Sequence, residues 1–259
     1  MALTLTAVGQ SPFAVVELHH EHKPVGEELS VFTVKAKPLK GICEYWQLLE
    51  IAEEKAKSLG ANCIVVEEHL SPKGALGCHR IQVKALNIQE PEKFERRIEW
   101  HPNRLLTLDN FQGPIEQRPA QAGSATVFTY RYFTDPFFGK VHFEVLAYFY
   151  PQESYFKPQV DSVYILAHEQ LHFDLTELYA RKFFKAISTE LDPEQDLNTQ
   201  ISYLYEKIQR AHRLRQDAFD AEVYASPDQH EKWREEVDRE LAGMSAFAEK
   251  SGILFEKSE

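Results

Sequence analysis

Short apolar runs separated by turn residues fill the first part of the chain, and helical spacing takes over from about residue 160. Residues 14–18 and 31–35 are strand-like. Over 43–59 the residues Trp46, Leu49, Ala52 and Ala56 recur at helical spacing, which predicts an amphipathic helix. Gly60 ends it, with Ala61 and Asn62 as the following turn. Residues 63–67 and 80–86 read as two further strands, joined through the loop residues Ser71-Pro72-Lys73-Gly74. The charged stretch 87–99, with Pro91, reads as a linker. Beyond it, 127–133 and 141–150 are rich in β-branched and aromatic residues and are punctuated by Asp135-Pro136 and Gly139, so they predict a β-hairpin. Three helices follow, over 160–187, 194–224 after Pro193, and 228–250 after Pro227. The fold class predicted is α+β. A small α/β module (10–90) precedes a domain (98–259) built from a hairpin or short sheet and three helices, with Tyr148-Phe149-Tyr150 covering one side of the first of them.

Composition narrows the functions. The chain has 259 residues, 43% of them hydrophobic, and a formal charge of −11, so it can bury a core but lacks the basic face that nucleic acid requires. No run of 18 apolar residues exists to span a membrane. Residues 1–9 are apolar and end in Ala7-Val8-Gly9, which predicts the remnant of a signal peptide and a secreted or periplasmic protein; a frayed cytoplasmic N-terminus is the alternative. Of three cysteines, Cys43 and Cys78 are the expected pair, and Cys63, inside an apolar run, reads as core. Nothing in the sequence sets the oligomeric state.

The chemistry concentrates in His168-Glu169-Gln170-Leu171-His172, an H-E-x-x-H run within the first long helix. Histidines four apart share a helix face and can hold one Zn2+, and the glutamate between them can act as general base toward a water that the metal activates. The bland alternative is a buried helix with two satisfied core histidines. On a helical wheel Leu175, Thr176 and Tyr179 lie beside the two histidines, whereas Glu177 points away and Asp174 further still. The helix therefore breaks after His172, or the third ligand arrives from elsewhere. His101, His142 and Glu144 are distant sources. His19-His20-Glu21-His22 reads mainly as a solvated edge and only weakly as a metal site, and His69 and His79 as surface residues. Neither a nucleophile elbow nor a P-loop nor a dinucleotide fingerprint is present.

Three segments carry a family resemblance. Trp100, then Leu106-Thr107-Leu108-Asp109-Asn110-Phe111-Gln112-Gly113-Pro114 and Ala125-Thr126, are similar to an L-T-W-x-D-F-x-G opening. His168 through Asp174, with Glu177 and Ala180-Arg181, match an H-E-x-x-H-F-D … E … A-R helix. Phe219-Asp220 and Trp233 are similar to a Y-D-x-x-T-x-H-G … W stretch, but Val223 replaces the Thr and Ala225-Ser226 the His-Gly. Over residues 98–241 the chain thus resembles a bacterial family of uncharacterised, nominally secreted zinc-dependent proteases. The resemblance implies a zincin-like domain, a zinc metallopeptidase acting on peptide or protein substrates, His168 and His172 as ligands and Glu169 as catalytic base. The downstream histidine of the pattern is missing, so Asp220, Glu222 and His230 are candidate third ligands, with Glu177 and Tyr179 as further ligands or residues behind them. Asp174 is a further candidate to orient the imidazoles. A catalytically degenerate binding or scaffold protein of the cell envelope is the alternative, and metal carriage involving His19, His20 and His22 a third.

Overall fold

The computed structural model describes residues 11–18, 22–37, 42–72, 77–134, 140–158, 161–192 and 194–254. The expected signal-peptide remnant, His19 to Glu21, Lys73-Gly74, Asp135-Pro136, Gly139 and Pro193 lie outside the described residues. The fold is mixed α+β, with four α-helices and several small sheets among the described residues, and the chain divides into two compact units, 1–96 and 97–259.

In the first unit, β1 (Ala14–Val16), β2 (Gly26–Lys35), β3 (Cys63–Leu70) and β4 (Arg80–Ile88) form one sheet in the order β1-β3-β4-β2. Only β1 and β3 run parallel. Alternation along the strands sends Ile64, Val66, Ile81 and Val83 to the face covered by α1 (Tyr45–Ser58), and Cys63, Val65, Leu86 and Ile88 to the other. Each of these fully buried aliphatic side chains is worth about 1.5–3 kcal/mol. The helix begins where Gln47 Oε1 accepts the amides of Cys43 and Glu44, both at 2.9 Å. It ends at Gly60, whose φ of +83° lies in the left-handed region that glycine tolerates. Asn62 then clamps β4 by exchanging two hydrogen bonds with the Ile88 backbone.

The boundary between the two units, at 96/97, falls inside the expected linker 87–99, but that stretch is structured rather than irregular. β4 runs on to Ile88, Pro91–Phe94 forms a 3-10 turn, and Ile98–Glu99 is a short strand. Apolar anchors override its charge: Phe94 packs on the second face of the first sheet and Ile98 is buried in the second unit. Glu95 is buried too, where its Oε1 accepts the Phe13 amide. His69 and His79 are likewise not independent surface residues. Their ring nitrogens lie 2.8 Å apart, and Tyr45 stacks on His69 at 4.3 Å. Cys43 and Cys78 are joined as a disulfide beside them, and Cys63 is buried and free.

The second unit is organised around one helix. The strands are β5 (Ile98–Glu99), β6 (Ala122–Gly123), β7 (Thr126–Thr134), β8 (Val141–Phe149), β9 (Tyr155–Phe156) and β10 (Ser251–Ile253). β7 pairs with β8 along its whole length, and the opposite edge of β8 is shared by β10 and β5. β6 and β9 form a separate pair. Against this sheet packs α2 (Ser162–Glu190), capped by Asp161, whose side chain accepts the Tyr164 amide. At 29 residues α2 is about 43 Å long. Phe128, Phe143 and Val145 from the sheet meet Phe183 and Ile187 on one side of α2. On another, Leu171, Leu175 and Leu178 meet Phe219 and Val223 of α3 (Leu197–Ala225) and Trp233 and Val237 of α4 (Gln229–Gly243). Phe149 packs on Phe173, so the aromatic strand does cover the motif helix.

Several boundaries differ from the sequence pattern, and two of them have an evident cause. α3 starts at Leu197 because Asp196 accepts the Thr199 amide at 2.8 Å and caps it there. The last helix stops at Gly243, and a 3-10 turn (Ser245–Phe247) and β10 follow it, because the exposed edge of β8 takes up Ser251–Ile253.

The disulfide closes a separation of 35 residues. Replacing both cysteines by alanine is expected to cost about 3–4 kcal/mol by releasing the unfolded chain. Urea unfolding of the variant against the oxidised protein measures this, and equal midpoints would show that the cross-link constrains nothing.

Candidate metal centre

Two antiparallel helices place the polar residues of this site opposite one another. On α2, His168, His172 and Thr176 recur every four residues; on α3, His212, Gln216 and Asp220 do the same. Residues four apart share a helix face, so the two rows meet as a ladder. Asp220 Oδ1 lies 3.0 Å from the Nε2 atoms of both His168 and His172, which are 3.2 Å from each other. Gln216 Oε1 lies 2.5 Å from His172 Nδ1. The Gln216 amide nitrogen donates to the His172 carbonyl at 3.1 Å and to His212 Nε2 at 2.9 Å. Thr176 Oγ1 donates to Thr126 Oγ1 on β7 at 2.8 Å, which ends the ladder on the sheet. Phe219 stacks against His168 with ring centres 4.5 Å apart and meets His172 edge-on at 4.9 Å, fixing both rings in place.

His168, His172 and Asp220 are the one group of three ligand-type side chains converging among the described residues. Tetrahedral coordination with zinc bonds of about 2.0–2.1 Å separates ligand atoms by about 3.3–3.4 Å. The observed spacing of 3.0–3.2 Å fits that with a small expansion. Asp220 keeps 39% of its side chain exposed, so the cluster opens to solvent on the α3 side. Beside it Glu169 is only 4% exposed, and its Oε2 has no hydrogen-bond partner.

The helix does not break after His172; it continues to Glu190, and the third group comes from α3. Of the candidates, only Asp220 reaches both histidines. Glu177 is fully buried, where Arg181 Nε donates to it at 2.8 Å and Lys250 at 3.1 Å, so it neither ligates nor orients an imidazole. Asp174 accepts Trp100 Nε1 and Gln170 Nε2 and pairs with Arg234, which removes it from the site as well. Glu222 accepts the Trp233 indole N–H and so faces α4. Tyr179 packs against His212 one turn beyond the cluster. His230 is close but outside the triad, its ring 6.1 Å from His168 and 5.3 Å from Tyr164, and its Nε2 is buried without a partner. His101 Nδ1 accepts the Asn103 amide, His142 stacks on Phe133, and Glu144 pairs with Arg131. Gln216 and His212 escaped the sequence reading. The signal was present as polar residues at four-residue spacing in an otherwise amphipathic helix, but it acquires meaning only when the partner row on α2 is known.

Burial opposes ionisation of Asp220, yet the two imidazoles outweigh it and hold the carboxyl well below the ordinary range. For His172, burial pulls the imidazole down, but the Asp220 hydrogen bond and the Glu169 charge raise it overall. His212 is pushed down to about 4, first by burial and then by the His172 charge, so it is neutral at physiological pH. The held-down Asp220 stabilises the fold above its unfolded pKa and loses that effect as pH falls through its folded value. The held-up His172 stabilises it below about 6.5, the unfolded imidazole value, and loses that effect as pH rises through its folded value. In the presence of a chelator the melting temperature is therefore expected to decline as pH rises above about 6.5, the unfolded imidazole value, and Asp220→Asn to flatten that decline. Parallel pH profiles for the two proteins would show that the His172–Asp220 pair contributes nothing.

No family model matches the chain, and neither the curated proteins nor the solved structures give a match.

Proposed function

We propose that this chain is a zinc-dependent metallopeptidase in which His168, His172 and Asp220 hold the ion and Glu169 is the general base. The observation that carries the reading is the convergence of three ligand atoms within 3.2 Å of one another, with a buried carboxylate oxygen that has no partner on the next residue of the same helix. A buried acceptor left unpaired costs about 1–3 kcal/mol or more, and a catalytic base is one reason for retaining it. Zinc held there would supply Lewis acidity toward a scissile carbonyl. Glu169 takes a proton from water as the water oxygen bonds to the carbonyl carbon, and delivers it to the departing amine nitrogen as the C–N bond breaks. Asp220 balances part of the cation's charge. On this reading the second unit is a zincin-like domain, the resemblance over residues 98–241 reflects kinship with the secreted-type zinc proteases, and the substrate is a peptide or protein. The Cys43–Cys78 disulfide supports an oxidising, extracytoplasmic location.

A second reading rests on the same distances. A separation of 3.0 Å is also that of a hydrogen bond, so a protonated His172 paired with Asp220 satisfies the cluster without metal, as a degenerate binding protein would.

Metal content separates the two. About one zinc per chain is expected for the wild type and none for the His168→Ala/His172→Ala variant; no zinc in the wild type after incubation with the metal decides for the second reading. Glu169→Gln is expected to keep zinc while peptide hydrolysis falls by about 10²–10⁴. A variant as active as the wild type would remove Glu169 from the mechanism.

A further inference from the structure

We infer that Gln216, held by His212, locks His172 in the tautomer that carries its proton on Nδ1 and a lone pair on Nε2. The purpose assigned to the lock rests on the metal-site reading above; the lock itself follows from hydrogen-bond geometry.

The amide of Gln216 has one workable orientation. One end lies 3.1 Å from the His172 carbonyl oxygen, which can only accept, so the nitrogen must occupy that end. The same end meets His212 Nε2 at 2.9 Å and Thr176 Oγ1 at 3.4 Å. Reversing the amide would set its oxygen against the carbonyl oxygen at that distance. The carbonyl end of Gln216 therefore faces His172 Nδ1 at 2.5 Å, and it can only accept. His172 must donate from Nδ1. In the neutral imidazole the other nitrogen is then unprotonated, and that nitrogen is Nε2, 3.0 Å from Asp220 Oδ1.

Without the lock the neutral ring would settle the other way. A proton on Nε2 would donate to Asp220 and close the cluster as a hydrogen-bonded pair with no ion. With the lock, the Nε2 lone pair and the Asp220 carboxylate face one another, an arrangement that a cation relieves. Gln216 is thus a positioning residue, and His212 supports it by accepting its second N–H. The partner that a ligating imidazole commonly finds in a carboxylate or a backbone carbonyl is here a side-chain amide.

The test reads the ring nitrogens of His172 by 15N NMR on metal-free protein in alkaline buffer, where the imidazole is neutral, together with zinc affinity. The wild type should show the Nδ1–H form. Gln216→Leu, which removes the acceptor, should shift His172 to Nε2–H and weaken zinc binding about ten- to a hundredfold. Gln216→Glu keeps an acceptor at Nδ1 but sets its second oxygen against the His172 carbonyl. It should therefore melt lower than the wild type and still show Nδ1–H, which separates positioning from mere support of the fold. An Nε2–H wild type, or a Gln216→Leu variant with unchanged tautomer and unchanged zinc affinity, overturns the inference. A wild type that shows Nδ1–H but binds no zinc upholds the lock and refutes the metallopeptidase reading.

Discussion

The second unit depends on one constraint: α2 is buried on almost every side over its central turns, and it carries ionisable and polar residues there. A charge or dipole removed from water must be matched within the protein or it destabilises the fold by several kcal/mol. The architecture around α2 can be read as the set of answers to that demand. Glu177 is matched by Arg181 on the next turn and by Lys250 from the C-terminal segment, which brings that segment back to the sheet edge as β10. Asp174 is matched by Trp100 and by Arg234 of α4. Thr176 reaches Thr126 on the sheet and His212 on α3. Each apolar layer around the helix is thus accompanied by one polar tie that fixes its register.

The candidate site belongs to the same system. The acids nearest the histidines in sequence, Asp174 and Glu177, are consumed by structural pairs, so the cluster draws its carboxylate from α3. Four-residue spacing on both helices makes the ladder self-consistent: the register that sets Asp220 against His168 and His172 also sets Gln216 against His172 and His212 against Thr176. Glu169 differs from them. It lies within the buried stretch of α2, and its Oε2 has no hydrogen-bond partner; Oε2 of Glu177 has none either, but it lies 3.1 Å from Lys250 Nζ. In a helix where the neighbouring acids are tied down, an unpaired carboxylate oxygen beside three convergent polar atoms is the feature on which the proposed chemistry rests.

The first unit shows a comparable use of local ties without an evident reaction centre. Its sheet is closed on both faces by apolar residues. The disulfide holds the start of α1 next to the strand that follows His79, which keeps Tyr45 stacked over the paired imidazoles of His69 and His79.

The periodicities by themselves determined the main elements. Alternation and turn chemistry placed the long strands and the hairpin but not the short strands β5, β6, β9 and β10, helical spacing placed α1 to α3 within a few residues and the start of α4, and the H-E-x-x-H spacing placed His168 and His172 on one helix face. These are local properties, set by backbone geometry over a few residues. What only the tertiary structure decided is which polar group meets which. Asp220, Glu222 and His230 were equivalent by sequence, and the crossing of α3 over α2 selected Asp220 while Trp233 took Glu222. Charge made 87–99 read as the connection between two units, and the boundary does fall there, but only the tertiary structure showed that Phe94 and Ile98 anchor its two ends. The register of one helix against another depends on the fit of side chains far apart in the chain, and a helical period cannot encode that alone.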